Sequence, residues 1–385
     1  MTGGTGFIGS HVTAELLKRG HSVFLLARRN AYLSAEERVR QVLDWHCVDR
    51  RKRSGLRVLE GRLDDPDLGL GGSRYGDVAK AVDEIINCAS NTSFSERKRT
   101  EVERANVANL ENVLTFAAKS GCSFFHHVST AYVAGKTRAR FKEELADTTE
   151  FHNVYEETKY LAERAAVNRC SEEGIRLSVY RPSIIYGDSR SGRTLLFNGL
   201  YYPIRTVVFF KKLYEEDIEK HDGIKAKEIG AERRGNGNLY LPLRVEATSP
   251  GGINVIPIDY FVQAFTAIMD ECSEGGFYHI VNKRITVIED LARYTERFFG
   301  IEGIRIVPHD VFGKTPKNGL EILYDHYVEA YSPYIKDARV FDDARTAAVL
   351  IKKNVTCPEF DYDIFSKCMQ YALDVDWGTR LFGKP

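Results

Sequence analysis

The chain of 385 residues has no surplus charge, since 54 lysines and arginines are matched by 54 aspartates and glutamates. With no whole-molecule field, neither nucleic acid nor an anionic membrane is an expected partner, and any basic function must be local. Long apolar runs are also lacking. The longest, such as 22–27 and 207–210, fall far below the ~18 residues of a spanning helix, so no transmembrane segment is expected. The N-terminus, Met-Thr-Gly-Gly, has neither a charged leader nor an apolar run with a small-residue cleavage site, and the cytoplasm is the expected compartment. Seven cysteines (Cys47, Cys88, Cys122, Cys170, Cys272, Cys357, Cys368) form no Cys-x-x-Cys pair, and their odd number reads as reduced thiols. The histidines are scattered, and the adjacent His126 and His127 fall in a strand-like run where neighbours point to opposite faces; no metal site is expected.

What is present is an alternation. Runs at 22–27, 56–59, 84–88, 123–129 and 176–180 read as buried strands, and 8–19, 99–120 and 152–170 carry apolar residues at helical spacing. Strands alternating with helices predict an α/β fold with a doubly wound parallel sheet. After Tyr186 the rhythm breaks, which predicts a main domain over 1–198 and a substrate-lobe insertion over 199–252. A return to the main sheet over 253–285 and a mainly helical tail over 286–385 follow.

Residues 2–9, Thr-Gly-Gly-Thr-Gly-Phe-Ile-Gly, precede an apolar helical pattern. Gly3, Gly4, Gly6 and Gly9 suit a tight turn, close approach of backbone to a pyrophosphate, and close helix packing; Thr5, Phe7 and Ile8 complete the loop and helix start. Such a loop should follow a strand, yet only Met1 precedes Thr2, so the first strand is expected to be truncated. Arg28, 19 residues after Gly9 at the end of the next strand, suits a ribose phosphate where an acid would bind a ribose diol; NADPH is therefore the expected cofactor.

Tyr155 and Lys159 are four apart at a helix start and share a face. A phenol titrates near ~10, and a neighbouring ammonium is expected to lower that value and fit Tyr155 for proton transfer to a carbonyl oxygen. Ser129 and Thr130 fall at the C-terminal end of a strand, where open α/β sheets bind ligands, and a hydroxyl there steadies the same oxygen.

These motifs resemble the extended short-chain dehydrogenases/reductases, whose fold is Rossmann-like: TGGTGFIG, INCAS (86–90), VSTAYVAG, YEETK and YRPSIIYG (180–187) stand in family order. The resemblance implies a catalytic Thr130, Tyr155 and Lys159, with Ser129 the less favoured hydroxyl, and Asn106 as the structural asparagine. It also implies cofactor contacts from Leu63, Cys88, Ala89, Ser90, Pro182 and Ile184. Within that superfamily the chain most resembles the thioester reductase and fatty acyl-CoA reductase (male sterility) branch, through AEERV, 63–70, VSTAYVAG and INVIPIDYF (253–261). That branch implies NADPH-dependent reduction of an acyl thioester, carried by coenzyme A or an acyl carrier protein. One departure stands out: Gly61-Arg62-Leu63 replaces the usual Gly-Asp-Leu, so Arg62 sits where an acid commonly meets adenine. The basic cluster Arg50-Arg51-Lys52-Arg53 with Arg57 reads as a solvated loop before it reads as a coenzyme A contact. The rival readings are a nucleotide-sugar epimerase or dehydratase, a ketone or hydroxysteroid dehydrogenase, and a non-catalytic NADPH-sensing regulator.

Overall fold

The computed structural model describes residues 1–137, 140–248, 251–336 and 339–383. Two compact units divide the chain: Met1–Ser183, Ile258–Val281 and Val340–Thr356 form the first, and Ile184–Pro257, Asn282–Arg339 and Cys357–Pro385 the second.

The first unit carries, in chain order, helix α1 (Phe7–Lys18), strand β1 (Val23–Ala27), α2 (Ala35–Trp45), β2 (Leu56–Glu60), α3 (Gly72–Ala79), β3 (Glu84–Asn87), α4 (Arg99–Glu103), α5 (Asn109–Ser120), β4 (Phe124–Val128), α6 (Val154–Glu172), β5 (Arg176–Pro182), α7 (Ile258–Glu271), β6 (Gly276–Ile280) and α8 (Ala344–Lys352). Strands β6, β5, β4 and β3 pair in that order, all parallel, and β1 pairs with β2, also parallel. This is the doubly wound α/β arrangement predicted from the alternation. Met1 and Thr2 lie between the two groups of strands: the Thr2 N–H donates to the Ile86 carbonyl (3.0 Å) and the Leu26 N–H to the Met1 carbonyl (3.0 Å). Two residues thus do a strand's work at its C-terminal end, which is where the glycine loop needs support.

One apolar cluster holds Ile85 and Phe125 of the sheet against Leu114 and Ala117 of α5 and Ala162 and Ala166 of α6. Ile85, Phe125 and Leu177 are register partners across three strands, so this layer marks the sheet face that α6 covers. The predicted helix over 99–120 is α4 and α5 joined through a π-helical turn at Arg104–Ala108. Between β1 and β2 lie α2, whose start Ser34 caps with a reciprocal bond to Glu37, and a short 3-10 turn at Arg50–Gly55. That turn contains the basic cluster and leads into the N-terminal end of β2, the sheet edge opposite the strand ends that carry the site. Arg53 is used internally, on the Val48 carbonyl and Asp44.

In the second unit, strands Glu232–Arg233, Leu239–Glu246 and Ile301–Val307 form a sheet, with Phe210 of helix Tyr201–Lys220 and Leu320 and Tyr324 of helix Gly319–Val328 in its core. The strand Ile301–Val307 stands within a tail that otherwise holds mostly helices, and the sequence does not announce it. Gly303 disguises it: its φ of +101° serves a register shift, and a β-carbon there would lie 2.5 Å from the Leu241 carbonyl oxygen, a place where a side chain does not fit.

Candidate active site

The glycine loop turns at Gly3, whose φ of +71° lies in the left-handed region. A β-carbon on Gly3 would meet the backbone of Cys88 and Ala89 at 2.6 Å, and one on Gly9 would lie 2.3 Å from the Gly3 carbonyl oxygen. The loop is therefore pressed between the end of β3 and the first turn of α1. Gly6 is the N-cap of α1 and offers no side chain to the helix N–H groups. The free N-terminal turn and glycine cradle fit a dinucleotide pyrophosphate. Gly4 packs on Leu25 and Thr13, the Phe7 ring meets His11 edge-on, and Ile8 is half-buried at the start of α1.

Arg28 is exposed just after β1. A residue absent from the sequence-based expectations joins it: Arg38 of α2 donates to the Thr5 hydroxyl (3.2 Å) and to the Arg28 carbonyl. Burial, then the charge of Arg28, lower the Arg38 pKa. Arg38, bound to Thr5 of the glycine loop and to the Arg28 backbone, adds a second guanidinium to that of Arg28, and such a pair suits a phosphate group. The only signal for Arg38 is its place in AEERV, where a helical arginine is unremarkable by itself. Arg62 does not replace the missing acid; it is turned onto Asp64 in a two-pronged pair (3.1 and 2.8 Å). Leu63 packs toward the apolar cluster, and its carbonyl accepts from Asn112.

Helix α6 starts at Val154 because the Asn153 side chain caps it, accepting from the Glu156 N–H. This sets Tyr155 in the first turn and Lys159 one turn on. The Thr130 hydroxyl lies at the end of β4, reaching the Pro182 carbonyl at 3.5 Å, and bonds to Tyr155. The Lys159 ammonium donates to the Val128 carbonyl at 2.7 Å. Thr130, Tyr155, Lys159 and Pro182 are thereby gathered at the C-terminal ends of β4 and β5. The expected lowering of the phenol is not found. Burial pushes Tyr155 up to about 12, opposed by its bond to Thr130 and reinforced by Glu156. Burial also brings Lys159 down to about 8, against the pull of Glu163 and Cys88. Desolvation is the largest influence on both groups, so near neutral pH the pair is a neutral phenol and an ammonium.

Asn106 lies within the π-turn and spends its amide fully: Nδ2 donates to the Asn91 carbonyl (2.9 Å) and Thr158 (3.0 Å), while Oδ1 accepts from Ser90 (3.0 Å) and the Asn91 N–H (2.7 Å). It ties the segment after β3, including Ser90, to α6. Cys88 is held beside Gly3 with its thiol pushed up to about 12 by burial, and the Ala89 N–H donates to Thr2 (3.3 Å). Ile184 belongs to the second unit, where it pairs with Val255. Buried His127 Nε2 and the Ser129 and Ser183 hydroxyls have no hydrogen-bond partner among the described residues. Among the described residues no cluster of His, Cys, Asp or Glu is arranged for a metal ion, and no helix is long and apolar enough to cross a membrane.

A family model described as male sterility protein matches residues 1–265. A linear gramicidin synthase from Brevibacillus parabrevis is 23% identical over 96% of the chain, and fatty acyl-CoA reductase 1 of Mus musculus is 29% identical over 34% of it. The matches cover 7% and 27% of those proteins' own lengths. Among solved structures, the terminal R domain from the myxalamid PKS-NRPS biosynthetic pathway superposes with a TM-score of 0.75 at 19% identity, covering 98% of this chain and 90% of that one.

Proposed function

The chain belongs to the male sterility protein family, and from that premise we propose that it is an NADPH-dependent reductase of acyl thioesters. The observation that carries the reading is the Thr130–Tyr155 hydroxyl pair with Lys159 one helical turn away, at strand ends beside a glycine cradle. Gly3, Gly6 and Gly9 with the α1 N-terminus would hold the pyrophosphate, and Arg28 and Arg38 the ribose phosphate. When bound, the dinucleotide supplies a hydride to the thioester carbonyl carbon.

The residues then have defined tasks. Thr130 and Tyr155 donate hydrogen bonds to the carbonyl oxygen, and Tyr155 passes its proton to that oxygen as charge develops there. A phenol near 12 is fully protonated at neutral pH, the form that reduction requires. Lys159, fixed on the Val128 carbonyl, keeps a positive charge near the phenolate left behind. The product is a hemithioacetal whose carbon–sulfur bond breaks to release an aldehyde and a thiol. No enzyme cysteine takes part, and Cys88, protonated and beside the loop backbone, is not poised as a nucleophile. The similarity to proteins named a linear gramicidin synthase and a fatty acyl-CoA reductase supports an acyl group on a carrier protein or on coenzyme A.

Incubating NADPH with long-chain acyl-CoA, or with an acylated carrier protein, tests this. Loss of NADPH absorbance with aldehyde or alcohol as product is expected, and Tyr155→Phe should abolish turnover while binding NADPH normally. Undiminished turnover in that variant, or oxidation of NADPH only with ketones or nucleotide sugars, overturns the reading.

A further inference from the structure

Below Lys159 the sheet changes character. Ile85, Phe125 and Leu177 form an apolar layer against Ala162 and Ala166, but the next residues on the same face are Asn87, His127 and Val179. Asn87 and His127 are 3% and 1% exposed, so their polar atoms need partners inside the protein. A directional line supplies most of them. The Ala89 N–H donates to Thr2 Oγ1 (3.3 Å), Thr2 Oγ1 donates to Asn87 Oδ1 (2.5 Å), and Asn87 Nδ2 then faces His127 Nδ1 at 3.3 Å. A donor at Asn87 Nδ2 makes Nδ1 the acceptor and places the imidazole proton on Nε2. Nε2 has no partner among the described residues, and neither has the Ser129 hydroxyl two residues along the same face of the strand. The Lys159 ammonium is close enough to depress protonation of His127 and spends one donor on Val128, with two remaining.

We propose that His127 is a positioning residue for Lys159, acting through one buried water that accepts from His127 Nε2–H and from the ammonium and donates to the Ser129 hydroxyl. Three hydrogen bonds are typical of a buried water, and leaving each buried polar atom unpaired would cost about 1–3 kcal/mol. The line therefore ties the start of the glycine loop, through Thr2 and Asn87, to the lysine of the proton-transfer pair. This deepens the assignment of Tyr155 and Lys159 and rests on it. The charged or titratable groups facing Lys159 are Tyr155 and Glu163 on its own helix, Cys88 after β3 and His127 on β4.

The test has one arm that needs no catalysis. Nitrogen-15 NMR of the imidazoles in the intact protein should show His127 neutral with a protonated Nε2 whose resonance moves in Lys159→Met. An unprotonated Nε2, or a resonance indifferent to Lys159→Met, overturns the proposal whatever the reaction. In kinetics, His127→Phe should lower kcat about tenfold or more with KM for NADPH within about twofold, and should move the alkaline limb of the pH profile to lower pH, because the ammonium loses an acceptor. His127→Gln, which keeps an N–H donor, should restore most of both. A His127→Phe enzyme with unchanged kcat and pH profile refutes the role. If that variant does not fold, Ser129→Ala, which removes one hydroxyl, should shift the same limb in the same direction, and no shift refutes it. Absence of thioester reduction in the wild type with the NMR signature intact would instead remove the reaction and leave the contact standing.

Discussion

At the scale of single residues, the site is governed by desolvation. Lys159 titrates near 10.5 in an unfolded chain and near 8 here. Between those values the unfolded chain holds a proton that the folded one has released, so this group's contribution to stability rises with pH across that window. Below pH 8 the buried ammonium costs its full penalty. Lys159→Met should therefore be inactive yet more stable at pH 7, by roughly 1–2 kcal/mol once the lost bond to Val128 offsets part of about 3. Thermal melts from pH 6 to 10 should show this difference shrinking above pH 8. Arg38 makes a second prediction: Arg38→Ala should weaken NADPH at least about tenfold while changing NADH little, as measured by fluorescence titration. The two residues differ in how legible they are. Lys159 is announced by its spacing from Tyr155, whereas Arg38 reaches Thr5 from a helix whose sequence gives no sign of which way the guanidinium turns. The phenol pKa departs from expectation for a related reason, since spacing shows a neighbour's charge but not how completely both groups leave water.

At the scale of elements, apolar runs of four to seven residues identify β1 to β5, from β4, buried along its whole length, to β2, where only Leu59 is fully buried. The π-turn at Arg104–Ala108 is not legible: one extra residue in a helix alters the apolar periodicity less than ordinary sequence variation does. Its effect is visible in Asn106, which makes four hydrogen bonds there. Gly9 offers the test at this scale. Alanine would favour the helix by about 1 kcal/mol, but its β-carbon would collide with the Gly3 carbonyl, and such overpacking costs about 1–3 kcal/mol. Gly9→Ala should thus be destabilised and bind NADPH at least about tenfold more weakly, both measurable by melting with and without the dinucleotide.

At the scale of the molecule, the first unit is assembled from three separate stretches of chain. Glu143, between Thr130 and Tyr155 in sequence, accepts from the N–H groups of His279, Arg345 and Thr346, joining all three. Phe141 pairs with Phe341 alongside it. A chain ending at Arg339 should lose the contacts from Phe341, Arg345 and Thr346 and melt at lower temperature, with weaker protection of amides 140–146 in hydrogen exchange. No pattern in the sequence connects 340–356 to the catalytic segment, which is why the tail reads as one helical body.

The Arg181–Glu163 pair is fully buried, with the guanidinium between the rings of Phe141 and Phe277 and against His279. Half of that enclosure is encoded about a hundred residues later. On a ribosome adding about 5–20 residues per second, the two charges exist for several seconds before their cover has been made. The emerging chain must keep an incomplete sheet edge and a solvated ion pair until β6 and then α8 arrive. Yield in cells should accordingly depend on translation speed over the second unit and on chaperones that shield the waiting edge, more than the stability of the finished protein would suggest.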